Sequence, residues 1–416
     1  MSAPVVTGLG VVAPGGIGVP EWWSAMLAGR SALGRITRFD PGGYPVRVGG
    51  EVAGFGPAGR VPGRLVPQTD RWTHFGLVAA EEALADAGVD PAAMPEYELA
   101  VVTASSSGGT EFGQREIERL WSKGPQFVGA YQSIAWFYAA TTGQLSIRHG
   151  MRGPCGVLCT EQAGGLDAAG QARRLLRAGA RLAVTGGTDA SLCPYGVTAQ
   201  LGDGRLSRRD DPARAYLPFD RDASGGVLGE GGAMLVLEVA AAARARGARP
   251  YGAVAGYAAT FDPPPGSGRP GGLRRAAELA LADAGLEPPA VDVVFADASG
   301  VPERDREEAL ALSALFGPYG VPVTAPKTMT GRLLAGGAAL DLAAALLSVR
   351  DGVVPPTVGV GEPAPGCQLD LVLDRPRPLP VRVALVLARG YGGFNAAAVI
   401  TAAEQAPGRR RTGAYG

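Results

Sequence analysis

Lysine and histidine are nearly absent from this 416-residue chain: lysine occurs only at Lys123 and Lys327, histidine only at His74 and His149. With two histidines and four cysteines there is little from which to build a metal centre, and neither a metal nor a cofactor is expected. The low cysteine count fits a reducing compartment and a cytoplasmic protein. Cys155 and Cys159 lie on an apparent buried strand around GVLCT. Four strand residues span about 13 Å, too far for a disulfide. Excess charge is also lacking, since 39 basic residues balance 39 acidic ones. No basic field exists to hold nucleic acid. The cluster Arg409 to Arg411 falls in a Gly- and Pro-containing end, read as a disordered tail over 406–416. No uninterrupted apolar run reaches the length of a membrane span. The opening MSAPVVTGLG lacks a charged region followed by a long apolar stretch, so it is not expected to be a secretory signal.

What is present in quantity is apolar sequence, 46% of the chain, enough for a large core or two fused cores. Short β-branched runs alternate with Ala/Leu-rich helical stretches, the α/β pattern of buried, largely parallel strands. Strands are expected at 5–12, 99–103, 156–160, 182–185 and 234–239, then at 254–257, 291–296, 321–324, 381–387 and 396–401. Helices are expected at 71–87, 164–177, 274–284, 306–316 and 338–349. The two sets run in the same order, which predicts a duplicated unit with halves at 1–245 and 246–405. The aperiodic stretch 202–232 is too long for an ordinary turn and predicts a functional or covering segment.

Two motifs invite chemistry. The Gly-x-Gly of TGLGVVAPGG is a weak dinucleotide signal, because Pro14 and further glycines break the helix start that such a site needs. The segment 156–179 is more informative. A β-run ends at Thr160, Glu161 to Ala163 turn sharply, and a helix follows with Leu166, Ala169, Ala172 and Leu176 near one face. A side chain at such a helix N-terminus meets free N–H groups and the positive end of the dipole, and nucleophiles are often mounted this way. The apex residue, however, is Gln162. A carboxamide donates and accepts hydrogen bonds but does not act as a nucleophile.

Four segments in order, VVTGLGVVAPGG, PFDRDASGGVLGEGGAMLVLE, KTMTGRLLAGGAALDLAAALLSVRDGVVPPT and GYGGFNAAAVI, resemble the thiolase-fold ketosynthases over residues 3 to 402. The resemblance implies an α/β thiolase fold whose duplicated halves form α-β-α-β-α layers. Active ketosynthases of that family join a cysteine to two histidines. By position, this chain has Gln162 for the cysteine, Asp297 for the first histidine in FADASGVPERD, and Arg332 for the second in KTMTGR. Lys327 is kept, and an acidic residue survives as Glu308. His74 and His149 stand elsewhere and read as core or surface residues. A thiolate to hold the acyl chain and donors to stabilise an enolate are therefore missing together.

TEQAGG around Gln162, with 103–121 and 129–154, is similar to the chain-length factors, the β subunits of type II aromatic polyketide synthases. That resemblance implies a catalytically silent subunit of a ketosynthase heterodimer. Its partners would be a cysteine-bearing ketosynthase α subunit and, through the complex, an acyl carrier protein bearing phosphopantetheine. It also maps the family's tunnel gate onto Thr110, Gly113 and Ile117, which at i, i+3 and i+7 share a helix face. The small groups there imply a longer tunnel than bulky aromatics would leave. Two enzymatic alternatives stand beside this reading. Gln162 could serve a malonyl-carrier-protein decarboxylase that supplies acetyl primer, although Asp297 and Arg332 oppose it. A free-standing condensing enzyme would need Cys159 as a displaced nucleophile.

Overall fold

The computed structural model describes residues 3–264 and 266–403, so the tail expected at 406–416 lies outside the described residues. We number the principal elements in chain order. The first half supplies β1 (Val5–Ala13), α1 (Arg71–Ala87), β2 (Leu99–Ala104), α2 (Thr110–Lys123), β3 (Cys155–Leu158), α3 (Gly164–Arg177), β4 (Leu182–Ala190) and β5 (Leu228–Glu238). The second supplies β6 (Gly252–Phe261), α4 (Leu273–Ala284), β7 (Val293–Phe295), α5 (Pro302–Phe316), β8 (Pro322–Thr324), α6 (Ala335–Asp351), β9 (Val383–Arg389) and β10 (Phe394–Thr401).

Strand order establishes the duplication. In the first half the strands run β1-β5-β4-β2-β3, with two antiparallel pairings followed by two parallel ones. In the second they run β6-β10-β9-β7-β8 with the same sequence of directions. A narrow antiparallel seam, Val5 opposite Ala253 and Val6 opposite Gly252, joins β1 to β6.

Helices α3 and α6 form the layer between the half-sheets and share their core with β1, β5, β9 and β10. Helix α1 covers the outer face of the first half, and α4 and α5 cover that of the second. Each helix sits where its sequence permits. Helix α1 is capped by Asp70, which accepts from Trp72 N at 3.2 Å, and ends at the left-handed Gly88. Helix α6 is buried from Ala335 to Ser348, the mark of a central helix rather than a surface one. Helices α3 and α6 cross almost backbone to backbone: a Cβ on Gly165 would stand 2.3 Å from Ala339 N.

Three expectations need correction. The strand expected at 156–160 ends at Leu158, because its neighbour β2 leaves the ladder after Ala104, the residue paired with Leu158. It is also not a buried strand. As the outer strand of its half-sheet it is partly exposed, and Cys159, beyond its end, is exposed too. The strand expected at 234–239 begins at Leu228, within the stretch read as aperiodic, since its glycines belong to the ladder with β4.

Candidate functional site: a turn facing an ion-paired cluster

Strand β3 delivers the chain to a tight turn, with Glu161 at φ 53° and a short 3-10 segment over Glu161–Ala163 leading into α3. The Glu161 carboxylate accepts from Tyr391 N at 2.8 Å, which ties the turn to the glycine loop after β9. Burial raises its pKa, with the nearby Arg332 guanidinium opposing the shift. Gln162 is buried at the start of α3. Its Oε1 stands 3.1 Å from where a Gly337 side chain would begin, so it lies against the first turn of α6.

Gln162 and Arg332 line one cavity, with Glu161, Arg304, Arg389 and Tyr391 among the other walls, and its volume is only about 50 Å³. That space is enough for a few water molecules. Asp297 lies just behind. Its Oδ1 accepts from Arg332 Nη2 at 3.0 Å and from Arg389 N at 2.9 Å, and its Oδ2 from Arg389 Nε at 3.3 Å. Burial alone would raise the Asp297 pKa, but Arg332, Arg389 and Lys327 outweigh it and hold the carboxyl well below its usual range. Arg332 is correspondingly held protonated by Asp297.

The second ring of partners is equally closed. Glu308 accepts from Asp297 N at 2.7 Å and Ala298 N at 2.9 Å, and it pairs with Arg389 Nη2 at 3.4 Å. Lys327 Nζ pairs with Asp341 at 2.7 Å and donates to Asp297 O at 3.1 Å. Tyr216 Oη donates to Ala298 O at 2.6 Å. Removing one member of such a buried set leaves a charge uncompensated, typically at about 3–5 kcal/mol. Chemically, Asp297, Arg332 and Arg389 are committed to one another and hold structure.

The sequence reading missed Arg389, Tyr216 and Glu161. Arg389 carried one legible signal, a charge at the end of the apolar run VALVLAR. The two histidines take no part. His74 is buried in α1, and burial with nearby Arg71 pushes its pKa down to about 4. His149 ends another helix, with Nε2 3.6 Å from Glu81. Burial raises the Cys159 thiol pKa, which disfavours the thiolate.

A second region lies on the flank formed by α2 and the segment after it. Thr110 and Gly113 are buried, whereas Ile117 is 43% exposed. Leu120, Trp121, Phe127 and Tyr131 are exposed as well, Trp121 by 83%. The helix ends at the exposed Lys123.

Two family models match consecutive stretches of this fold: "Beta-ketoacyl synthase, N-terminal domain" over residues 2–243 and "Beta-ketoacyl synthase, C-terminal domain" over residues 251–361. The chain belongs to the beta-ketoacyl synthase family. Among relatives, this beta-ketoacyl synthase is 63% identical over 405 residues to the tetracenomycin polyketide synthase ketoacyl synthase beta subunit of Streptomyces glaucescens, covering 96% of this chain and 99% of the relative. Among solved structures, it is similar to the ishigamide ketosynthase/chain length factor, with a TM-score of 0.88, 28% identity and coverage of 96% and 99%. It is also similar to a structure of a type II polyketide synthase acyl-carrier protein in complex with its ketosynthase bound to the hexaketide, with a TM-score of 0.87, 27% identity and the same coverage. Gln162 and Arg332 thus share the wall of one small cavity, and Asp297 pairs with Arg332 behind it.

Proposed function

We propose that this chain is a catalytically silent chain-length factor of a type II aromatic polyketide synthase. It pairs with a cysteine-bearing ketosynthase α subunit, completes the tunnel in which the polyketide grows and sets the number of malonyl extensions. The observation that carries this reading is the Asp297–Arg332–Arg389 cluster: ions locked on one another stand where the reaction would need exchangeable protons. The acyl carrier protein meets the complex rather than this chain alone, and the assembly works in the cytoplasm.

Two features support the partnership. The edge strand β3 carries a row of backbone groups with no further strand beside it among the described residues, a ready template for a second chain. Beside it in the sequence, the α2 flank exposes aromatic and aliphatic side chains of the kind that obligate interfaces bury. The heterodimer is expected to bury more than ~2,000 Å². Within this reading the halves divide near 245/246, and Thr110, Gly113 and Ile117 line the gate.

The test is co-expression with the ketosynthase and carrier protein, read by product mass, beside intact mass of the isolated chain offered labelled acyl and malonyl thioesters. The expected result is product only from the complex and no adduct on this chain. An acyl adduct at Cys159 or elsewhere overturns the silent assignment. Carbon dioxide release from malonyl thioester by the isolated chain would point instead to the decarboxylase.

A further inference from the structure

We propose that Trp136, rather than a side chain of α2, is the group that stops the growing chain in this subunit. The inference rests on the chain-length-factor reading. It begins with how closely the segment around Trp136 approaches α2. Gly109 N donates to Trp136 O at 3.2 Å, and a Cβ on Gly109 would stand 2.2 Å from Ala135 O. A Cβ on Gly108, which sits at φ 62°, would stand 2.3 Å from Trp136 O. Only glycine at both positions lets the two backbones meet there.

One turn further, a Cβ on Gly113 would lie 2.8 Å from Trp136 Cδ1 and 3.3 Å from Nε1. The indole therefore occupies the space that a side chain at position 113 would fill. Small size at 113 is matched by a large ring delivered from the neighbouring segment, and the wall is already full. This changes what the bare glycine means: its missing side chain does not translate into added tunnel volume.

The ring is held firmly on one side and open on the other. Trp136 keeps 44% of its surface exposed, on the flank that also exposes Ile117. Among the described residues, Gln132 at the start of the same segment has its Oε1 buried without a partner. An indole offers a rigid apolar face and one donor. A poly-β-ketoacyl thioester offers carbonyl acceptors spaced along a flexible chain. Trp136 fits such a substrate as a stop that blocks with its ring and can donate to a terminal ketone.

The test measures product mass from this chain co-expressed with the ketosynthase and carrier protein. Trp136→Ala should lengthen the product by at least one two-carbon unit. Gly113→Phe alone should cut the yield of assembled complex, because both rings claim one space. The double variant Gly113→Phe/Trp136→Ala should recover assembly and return the product to wild-type length. An assembled Trp136→Ala complex giving the wild-type product overturns the proposal. Should Trp136→Ala not copurify with the ketosynthase, Trp136→Phe decides, since it keeps an aromatic surface but loses the N–H and ring width. A longer component then supports the stop, and an unchanged distribution overturns it. A parallel exchange of the whole subunit for a relative of different product length separates the two levels. If length does not follow this subunit, the chain-length reading itself fails. If it does follow but Trp136 variants are silent, only the Trp136 assignment fails.

Discussion

The centre of the molecule and its α2 flank are finished in opposite ways. Around Gln162 the protein buries charge and sets much of it against opposite charge, so that Asp297, Arg332, Arg389 and Glu308 satisfy one another within a few ångströms. On the flank it leaves large apolar groups facing outward, with Trp121 83% exposed. The centre is complete without a partner, whereas the flank is not. A catalytic subunit needs the reverse at its centre, because a residue that shuttles protons must be free to change its charge. Asp297, Arg332 and Arg389 thus form an internal brace, while the apolar groups available for contact stand on the surface.

Breaking the brace should give the largest effect. Asp297→Ala leaves Arg332 and Arg389 buried without their shared carboxylate, and a loss of about 3–5 kcal/mol is expected. Denaturant unfolding of the variant, alone or in complex, measures it. A loss below about 1 kcal/mol would mean that the arginines find other partners, and the contrast between centre and flank would weaken. Disturbing the flank should do the opposite. Trp121→Asp should change the unfolding midpoint of this chain by under about 0.5 kcal/mol while weakening its association with the ketosynthase at least tenfold, as ultracentrifugation or copurification would show. An unchanged association would place the interface elsewhere.

A third expected effect is in the pH dependence. Burial pushes the carboxyls of Asp70, Asp189 and Asp305 up to about 7, while the backbone N–H bonds they accept pull the other way. In the unfolded chain a carboxyl titrates near ~3.9, so between the two values the folded state binds more protons. Their contribution is therefore fully present below about pH 4 and is lost as pH rises through about 7. Asp297 has the opposite sign: its contribution is present above the ordinary carboxylate range and is lost only in stronger acid. Stability should decline from mildly acid to neutral pH, and Asp189→Asn should reduce that slope in a thermal melt series. An Asp189→Asn slope equal to the wild type would remove Asp189 from the account.

Much of this was legible in the sequence. Helices α1 and α3 begin and end where periodicity placed them, because their caps and breakers are local: Asp70 and Gly88 for α1, the turn at 161–163 for α3. Gln162, Asp297 and Arg332, singled out because the surrounding motifs keep their spacing, do lie near one another in the fold. What could not be read depends on contacts distant in sequence. Helix α6 starts at Ala335, three residues before its apolar period suggests, because Asp189 accepts from Ala335 N at 2.9 Å. Strand β5 runs through glycines that resemble a loop until the ladder with β4 is seen. Arg389 joins the brace from the end of β9, ninety-two positions from Asp297. The filling of Gly113 by Trp136 likewise requires knowing which segment lies over α2.

The two lysines have a practical consequence. Lys327 is held beneath Asp341 at the brace, with its side chain 8% exposed, whereas Lys123 stands open at the last turn of α2. Of the two lysines, an amine-directed reagent in the folded protein will therefore reach Lys123, next door to Trp121. The natural sequence thus already carries one open lysine for a dye on the flank where the partner is expected to dock, and, with the α-amino group blocked, docking can be followed by the dye's emission with no residue changed.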